Sequence, residues 1–170
     1  MTTILEANMP DHHAFVYDLF AEYLRWVCNT IYAEYKVKFD AESMIVHDME
    51  TIEIFSRPKG FILLSYEDGF SSGCVCVRTL AKGIAELKRM YVRPVYRGKG
   101  IGTKLVQESV QQVRKMMYST IRLDSAEFMT NAHRLYRSLG FTEIAAYEGS
   151  EIPKEYQTHW VFMELNLSTR

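Results

Sequence analysis

The sequence predicts a mixed α/β fold, a largely antiparallel sheet with helices on its faces. Three observations carry that prediction. Strand-like and helix-like segments follow one another in the order β-α-α-β-β-β-α-β-α-β-β. An Asp68-Gly69 pair between two apolar runs marks a hairpin in the early part. A strand, a glycine-rich turn at Arg97-Gly98-Lys99-Gly100-Ile101-Gly102 and a helix make an α crossover in the middle.

Thr3-Ile4-Leu5-Glu6-Ala7 is a short first strand. Pro10 suits the first turn of a helix, with Asp11 favouring its positive end. Val16, Phe20, Leu24, Val27 and Ile31 form an apolar stripe at helical spacing, joined by Phe15, Leu19 and Trp26, so this helix should end between Cys28 and Tyr35. A shorter helix of imperfect periodicity is expected over Ser43–Ile54, stopped by Arg57-Pro58-Lys59-Gly60. Phe61–Glu67 and Phe70–Arg78 are the hairpin strands, and a turn near Ala81-Lys82-Gly83 leads to a strand over Ala85–Val92 that ends at Pro94. Leu105, Val106, Ser109, Val110 and Val113 recur at helical spacing and predict a long helix over about 102–118. Thr120–Asp124 reads as a strand and 130–139 as a helix, with Gly140 where a C-cap belongs. Phe141–Tyr147 and Trp160–Leu167 are the final strands, separated by an irregular loop over Gly149–Thr158.

With 170 residues and an apolar fraction of 48%, the chain can bury one sizeable core, and a single domain over residues 1–170 is predicted. Twenty basic and 21 acidic residues leave a net charge of −1, which gives no reason to expect nucleic acid. Only residues 88–99 concentrate basic charge, through Lys88, Arg89, Arg93, Arg97 and Lys99. No cleavable leader opens the chain and no apolar run reaches spanning length, so a cytoplasmic protein without a membrane partner is expected. Cys28, Cys74 and Cys76 are an odd number without zinc-knuckle spacing, and the five histidines are scattered, so no metal site is predicted. Monomer and homodimer both remain open.

A strand, a glycine turn and a helix N-terminus together make an anion site, because first-turn N–H groups have no partner within the helix. Gly98, Gly100 and Gly102 allow close backbone approach, while Arg97 and Lys99 add positive charge. The expected cargo is a phosphate or pyrophosphate. The order of residues is neither the dinucleotide fingerprint nor a triphosphate loop.

Two blocks carry a family resemblance. Glu86-Leu87-Lys88-Arg89-Met90-Tyr91-Val92 through Arg97-Gly98-Lys99-Gly100-Ile101-Gly102 is one; Leu135-Tyr136-Arg137-Ser138-Leu139-Gly140-Phe141 is the other. In this order, with a helix and a strand between them, the chain resembles the GCN5-related N-acetyltransferase (GNAT) superfamily over nearly its whole length. The resemblance implies a central sheet splayed at a cofactor notch and acetyl-coenzyme A (acetyl-CoA) as cofactor. It implies that residues 97–102 hold the pyrophosphate, that Met90, Tyr91 and Val92 hold the pantetheine arm, and that an N–H of Tyr91 or Val92 polarises the thioester carbonyl. Tyr136 resembles the family's general acid for the departing thiolate and Glu86 its strand base. Many relatives place an asparagine seven residues before the acid tyrosine; here that position is Met129, and Asn131 is assigned to the helix start.

Acceptor recognition is expected from the first two helices and the loop before the last strand. Trp26, Tyr35, Glu86, Tyr156 and His159 are the leading candidates, among a wider set with Tyr32, Glu34, His47, Glu148 and Glu151. Carboxylates attract a cationic amine and aromatics cover its apolar part. The predicted activity is acetyl transfer to a primary amine of a small molecule by direct attack in a ternary complex. A protein or peptide acceptor, and a non-catalytic acyl-CoA sensor, are the alternatives.

Overall fold

A computed structural model describes residues 1–168. The chain opens with β1 (Thr2–Glu6), α1 (His13–Tyr35) and α2 (Ala41–Glu50), and a 3₁₀ turn over Ile52–Phe55 leads to β2 (Gly60–Glu67). Next come β3 (Phe70–Ala81), β4 (Ile84–Val92) and α3 (Ile101–Lys115), then β5 (Thr120–Ala126) and α4 (Thr130–Ser138). The short β6 (Thr142–Ile144) and β7 (Trp160–Asn166) finish the order. The strands form one sheet in the order β1-β2-β3-β4-β5-β7-β6, in which β4 and β5 alone run parallel. Among the described residues, no helix is long and apolar enough to cross a membrane.

Each sheet face has its own core. On one, Phe61, Leu63, Val75, Val77 and Leu87 meet the stripe of α3, Leu105, Val106 and Val113, and residues of α4. On the other, Ile62, Leu64, Cys74 and Cys76 meet Val16, Leu19 and Phe20 of α1 and Phe55. This alternation along β2 and β3 is the period-2 pattern of a sheet covered on both sides. Burial pushes the Cys74 thiol up to about 12, so it is an inert core residue.

Several boundaries differ from the sequence expectation. Pro10 and Asp11 precede α1 instead of opening it, because residues 8–12 close a turn of their own. There His12 N–H donates to Asn8 O at 2.9 Å and Asn8 Nδ2 to Asp11 Oδ2 at 2.9 Å. The second helix starts earlier than expected, where Asp40 accepts from the Glu42 and Ser43 amides at 3.1 and 3.3 Å. It also stops at Glu50, with the 3₁₀ turn taking up 52–55. The strand expected over Phe141–Tyr147 pairs only at Thr142–Ile144, since Tyr147 turns inward to donate to Glu86 Oε1 at 2.9 Å.

β4 and β5 pair only from Ile84↔Thr120 to Glu86↔Arg122. Beyond Glu86 they part, while β5 stays paired to β7 as far as Ala126. A bulge accompanies the parting: Cys74 faces Tyr91 and Cys76 faces Lys88, so Val75 stands opposite two residues of β4. Arg89 is the bulged residue, with φ +50°. Its left-handed backbone costs about 1–2 kcal/mol for a residue with a Cβ. What holds it there is a bidentate pair with Asp48 of α2, Nε to Oδ2 at 2.6 Å and Nη2 to Oδ1 at 2.8 Å. The extra residue turns Lys88 and Arg89 both to the α1–α2 side, while Met90 joins the α3 side. β3 makes room at Gly73, where a Cβ would stand 2.4 Å from Tyr91 O.

Removing one partner of a buried ion pair strands the other charge. Asp48→Ala is therefore expected to lower unfolding free energy by about 3–5 kcal/mol. Urea denaturation of both proteins at neutral pH measures it, and a change below about 1 kcal/mol would refute the role given to the pair.

Candidate functional site

Two cavities flank the fork, one on each sheet face. The larger, about 540 Å³, lies between the end of β4, the 97–102 turn and the start of α4. Met90, Tyr91, Val92, Arg97, Gly98, Gly100, Ile101 and Gly102 all line it. Of the residues expected around the cofactor, Lys99 and Tyr136 stand outside this lining. The Lys99 ammonium sits 5.6 Å from the Tyr96 ring centre.

Gly98 and Gly100 take φ of +79° and +75°, which lifts the turn clear of neighbouring chain. Among the described residues, no backbone carbonyl takes the N–H groups of residues 98–103; the first that bonds is Lys104, to Gly100 O at 3.1 Å. These free donors at the start of a 15-residue helix are the physical requirement for an anion site. Arg93 N–H donates to Ser72 O of β3 at 2.9 Å, so its strand neighbour Val92 turns its N–H and C=O to the opposite, open edge. There Arg97 Nε takes the Val92 carbonyl at 2.9 Å. The Arg97 guanidinium lies 5.4 Å from the Trp26 ring and 5.9 Å from the Tyr91 ring.

The second cavity, about 280 Å³, occupies the other face. Tyr23, Leu24, Val27 and Ile31 of α1 wall it, with Phe39, Met44 and Trp160; Ile152 and Pro153 cover it. Its polar lining is Lys88 and Arg89 from β4, Asp124 and Ser125 from β5, and Glu151 from the loop before β7. These charges belong to a larger network. Lys88 Nζ lies 3.0 Å from Glu151, 3.4 Å from Asp124 and 3.9 Å from Glu86. Arg89 adds Glu151 at 3.3 Å to its Asp48 pair, and Arg78 Nε bonds Glu86 at 2.6 Å. Burial alone would raise the Glu151 carboxyl, but Lys88, Arg89 and Arg78 outweigh it and bring Glu151 down to about 2.

A third, small cavity of about 40 Å³ sits where the strands part. It shares Met90, Met129 and Ala132 with the first cavity, and Tyr23, Lys88, Asp124 and Ser125 with the second. Tyr136 of α4 lines it too. Burial pushes the Tyr136 phenol well above its ordinary range, so it keeps its proton at neutral pH. Ser125 Oγ lies 3.0 Å from His133 Nε2 and 3.4 Å from the Met129 sulfur. Burial and the nearby Arg137 lower His133, which keeps its imidazole neutral.

The residues expected to read the acceptor are dispersed. Trp26 lines the first cavity, 5.6 Å from Phe128, instead of the second. Tyr35 stacks on His159 at 4.3 Å, and neither lines any of the three cavities. Tyr156 packs edge-on against Phe39 at 5.5 Å, behind the cavity wall. Glu86 is fully buried at the root of the fork, enclosed by Arg78, Lys88 and Tyr147, and lines none of the three cavities. Lys88, Arg89, Asp124 and Ser125, which line the second cavity, are not among the residues that the sequence points to for an acceptor. One signal did exist: in parallel αβ units ligands gather at the carboxyl ends of strands, where Asp124 and Ser125 stand.

Residues 13–141 match the family model described as the Acetyltransferase (GNAT) family. The chain belongs to that family. Both motif blocks, Glu86–Gly102 and Leu135–Phe141, fall within the matched GNAT segment. An uncharacterized N-acetyltransferase of Schizosaccharomyces pombe is 36% identical over 116 residues, 67% of this chain and 68% of that protein. An uncharacterized N-acetyltransferase of Escherichia coli is 32% identical over 98 residues, 56% of this chain and 59% of that one. Among solved structures, the PaiA N-acetyltransferase of Thermoplasma acidophilum in complex with coenzyme A superposes with a TM-score of 0.74 at 20% identity, over 98% of this chain and 99% of its own. The fold is thus a GNAT fold, and the fork between β4 and β5 is its notch.

Because Glu151 falls from 4.5 to about 2 on folding, its ionised form stabilises the protein above pH 4.5, and that contribution disappears as pH falls through about 2. Glu151→Gln is expected to be less stable than the parent near neutrality, with the difference shrinking on acidification. Urea unfolding at a series of pH values checks this; a pH-independent difference would contradict it.

Proposed function

We propose that the protein transfers the acetyl group of acetyl-CoA to a primary amine of a small molecule, by direct attack within a ternary complex. One observation carries this reading: two cavities on opposite sheet faces both share lining residues with a small cavity at a single fork, one bordered by unpartnered amides, the other by carboxylates and apolar walls. Two reactants entering from opposite sides meet there, and holding them together supplies much of the rate enhancement.

The amides of 98–103 and the Arg97 guanidinium bind the diphosphate, and the open edge of Met90–Val92 takes the pantetheine arm. Acetyl-CoA supplies an activated acetyl carbonyl. Val92 N–H, which faces the notch, stabilises the oxyanion as the amine adds. Tyr136, kept protonated by burial, donates to the departing thiolate. Glu86, sealed from both cavities, acts as a positioning residue through Lys88 and Arg78. Trp26 covers the mouth of the cofactor side, while Tyr35, His159 and Tyr156 brace the loop that roofs the acceptor cavity.

A cavity near 280 Å³ walled by Leu24, Val27, Ile31, Phe39 and Trp160 supports a small acceptor over a long peptide. The test is coenzyme A thiol release from acetyl-CoA across a panel of small primary amines and peptides. Turnover is expected with a subset of the small amines. Tight coenzyme A binding without release by any amine would favour a sensor instead. With an active amine in hand, Tyr136→Phe should lower kcat by about 100-fold while leaving coenzyme A affinity unchanged. Unaltered kcat in a chemistry-limited assay would remove Tyr136 from the mechanism.

A further inference from the structure

The network at the fork is not electrically balanced. Three cations, Arg78, Lys88 and Arg89, face four carboxylates, Asp48, Glu86, Asp124 and Glu151. Among the described residues no further cation reaches any of these carboxylates. One negative charge is therefore left uncompensated in a setting where an unpaired charge is costly.

The pairing shows where that charge resides. Asp48 is gripped by Arg89 through two hydrogen bonds, and Glu86 by Arg78 at 2.6 Å and Tyr147 at 2.9 Å. Glu151 takes the shorter contact of Lys88, at 3.0 Å. Asp124 keeps only Lys88 at 3.4 Å and Ser150 Oγ at 3.2 Å, both on Oδ2. No donor among the described residues reaches its Oδ1, although the side chain is only 7% exposed. Asp124 also lines both the acceptor cavity and the small cavity that holds Tyr136, and it is the one carboxylate to do so.

Resting on the reading of the 280 Å³ cavity as the acceptor site, we infer that Asp124 binds the acceptor's ammonium group and takes its proton before attack. An ammonium beside Oδ1 completes the charge balance of the network. Out of bulk water, a carboxylate and an ammonium are driven towards the neutral pair, an aspartic acid and a free amine. The nitrogen lone pair then attacks the thioester carbonyl, a C–N bond forms and the C–S bond breaks. The thiolate takes the Tyr136 proton, and the second proton lost by nitrogen restores the phenol. One proton per turnover leaves through Asp124, so atoms and charge balance. The acceptor is thus an amine that enters protonated, with its apolar portion against Leu24, Val27 and Phe39.

Asp124→Asn keeps the shape and removes the charge. With an amine that the parent acetylates, acceptor kcat/KM is expected to fall by about 100-fold or more, through both a raised acceptor KM and a lowered kcat. The acetyl-CoA KM stays unchanged, which a merely structural loss would not allow. An acceptor kcat/KM within about threefold of the parent overturns the assignment. Should the variant fail to fold, the parent protein is titrated with n-butylammonium and with n-butanol, followed by NMR. The ammonium is expected to bind at least about tenfold more tightly, about 1.4 kcal/mol by the affinity relation. Equal binding, or none by either, overturns the inference. Ammonium-selective binding in a parent protein that binds no coenzyme A would instead sink the proposed acetyl transfer and leave Asp124 as an ammonium ligand.

Discussion

Strands β4 and β5 share three residue pairs and then separate, and every feature of the site depends on that separation. Had the parallel ladder continued, the backbone groups of residues 87–92 would be consumed by β5, and the two sheet faces would be sealed from one another. Because it stops, an edge of β4 is left for something other than the chain to satisfy. Buried backbone donors and acceptors are almost always paired, so such an edge is a place for water or a ligand. The Arg97 side chain already takes one of its carbonyls, at Val92.

Keeping the strands apart requires an arrangement that a continuous apolar core would not supply. The bulge at Arg89 places two long cations side by side on one face, and carboxylates from α2, β5 and the loop before β7 converge on them. Such a buried network contributes little net stability beside a hydrophobic replacement of the same volume. Its value here is geometric. It locks a left-handed residue into β4, ties α2 to the sheet, and draws Glu151 to the smaller of the two flanking cavities. On the other face, α3 and α4 pack through ordinary apolar stripes. The two sides of the fork therefore differ: an apolar frame on the α3–α4 side, a charged floor on the other.

The membership of residues 13–141 in the acetyltransferase (GNAT) family agrees with this arrangement, and the coenzyme A complex of a structural neighbour shares the fold at low identity. Two further features of the chain lie at the fork. Met129, seven residues before Tyr136, receives the Ser125 hydroxyl on its sulfur. Glu86 is enclosed by Arg78 and Tyr147, while Asp124 lines both the second cavity and the small one at the fork.

Helices α1 and α3 were legible as stripes, because burial of one helical face is encoded in residues three and four apart. The 68–69 hairpin and the 97–102 turn were legible because their conformations depend on glycine and on immediate neighbours. The end of β6 was not, since Tyr147 leaves the strand for a carboxylate 61 residues earlier. Nor was the charged floor of the second cavity: Arg89 meets Asp48 across 41 residues, and Lys88 meets Asp124 across 36. Its helix puts Trp26 among the residues expected to read the acceptor, yet the packing of α1 sets it over the larger cavity. From its own order of residues, then, the chain determined most of its elements, its family and its glycine turn, all of which rest on local periodicity and backbone freedom. Only the tertiary structure decided where β4 and β5 part and which carboxylate faces the gap, because both rest on charges brought together from distant segments.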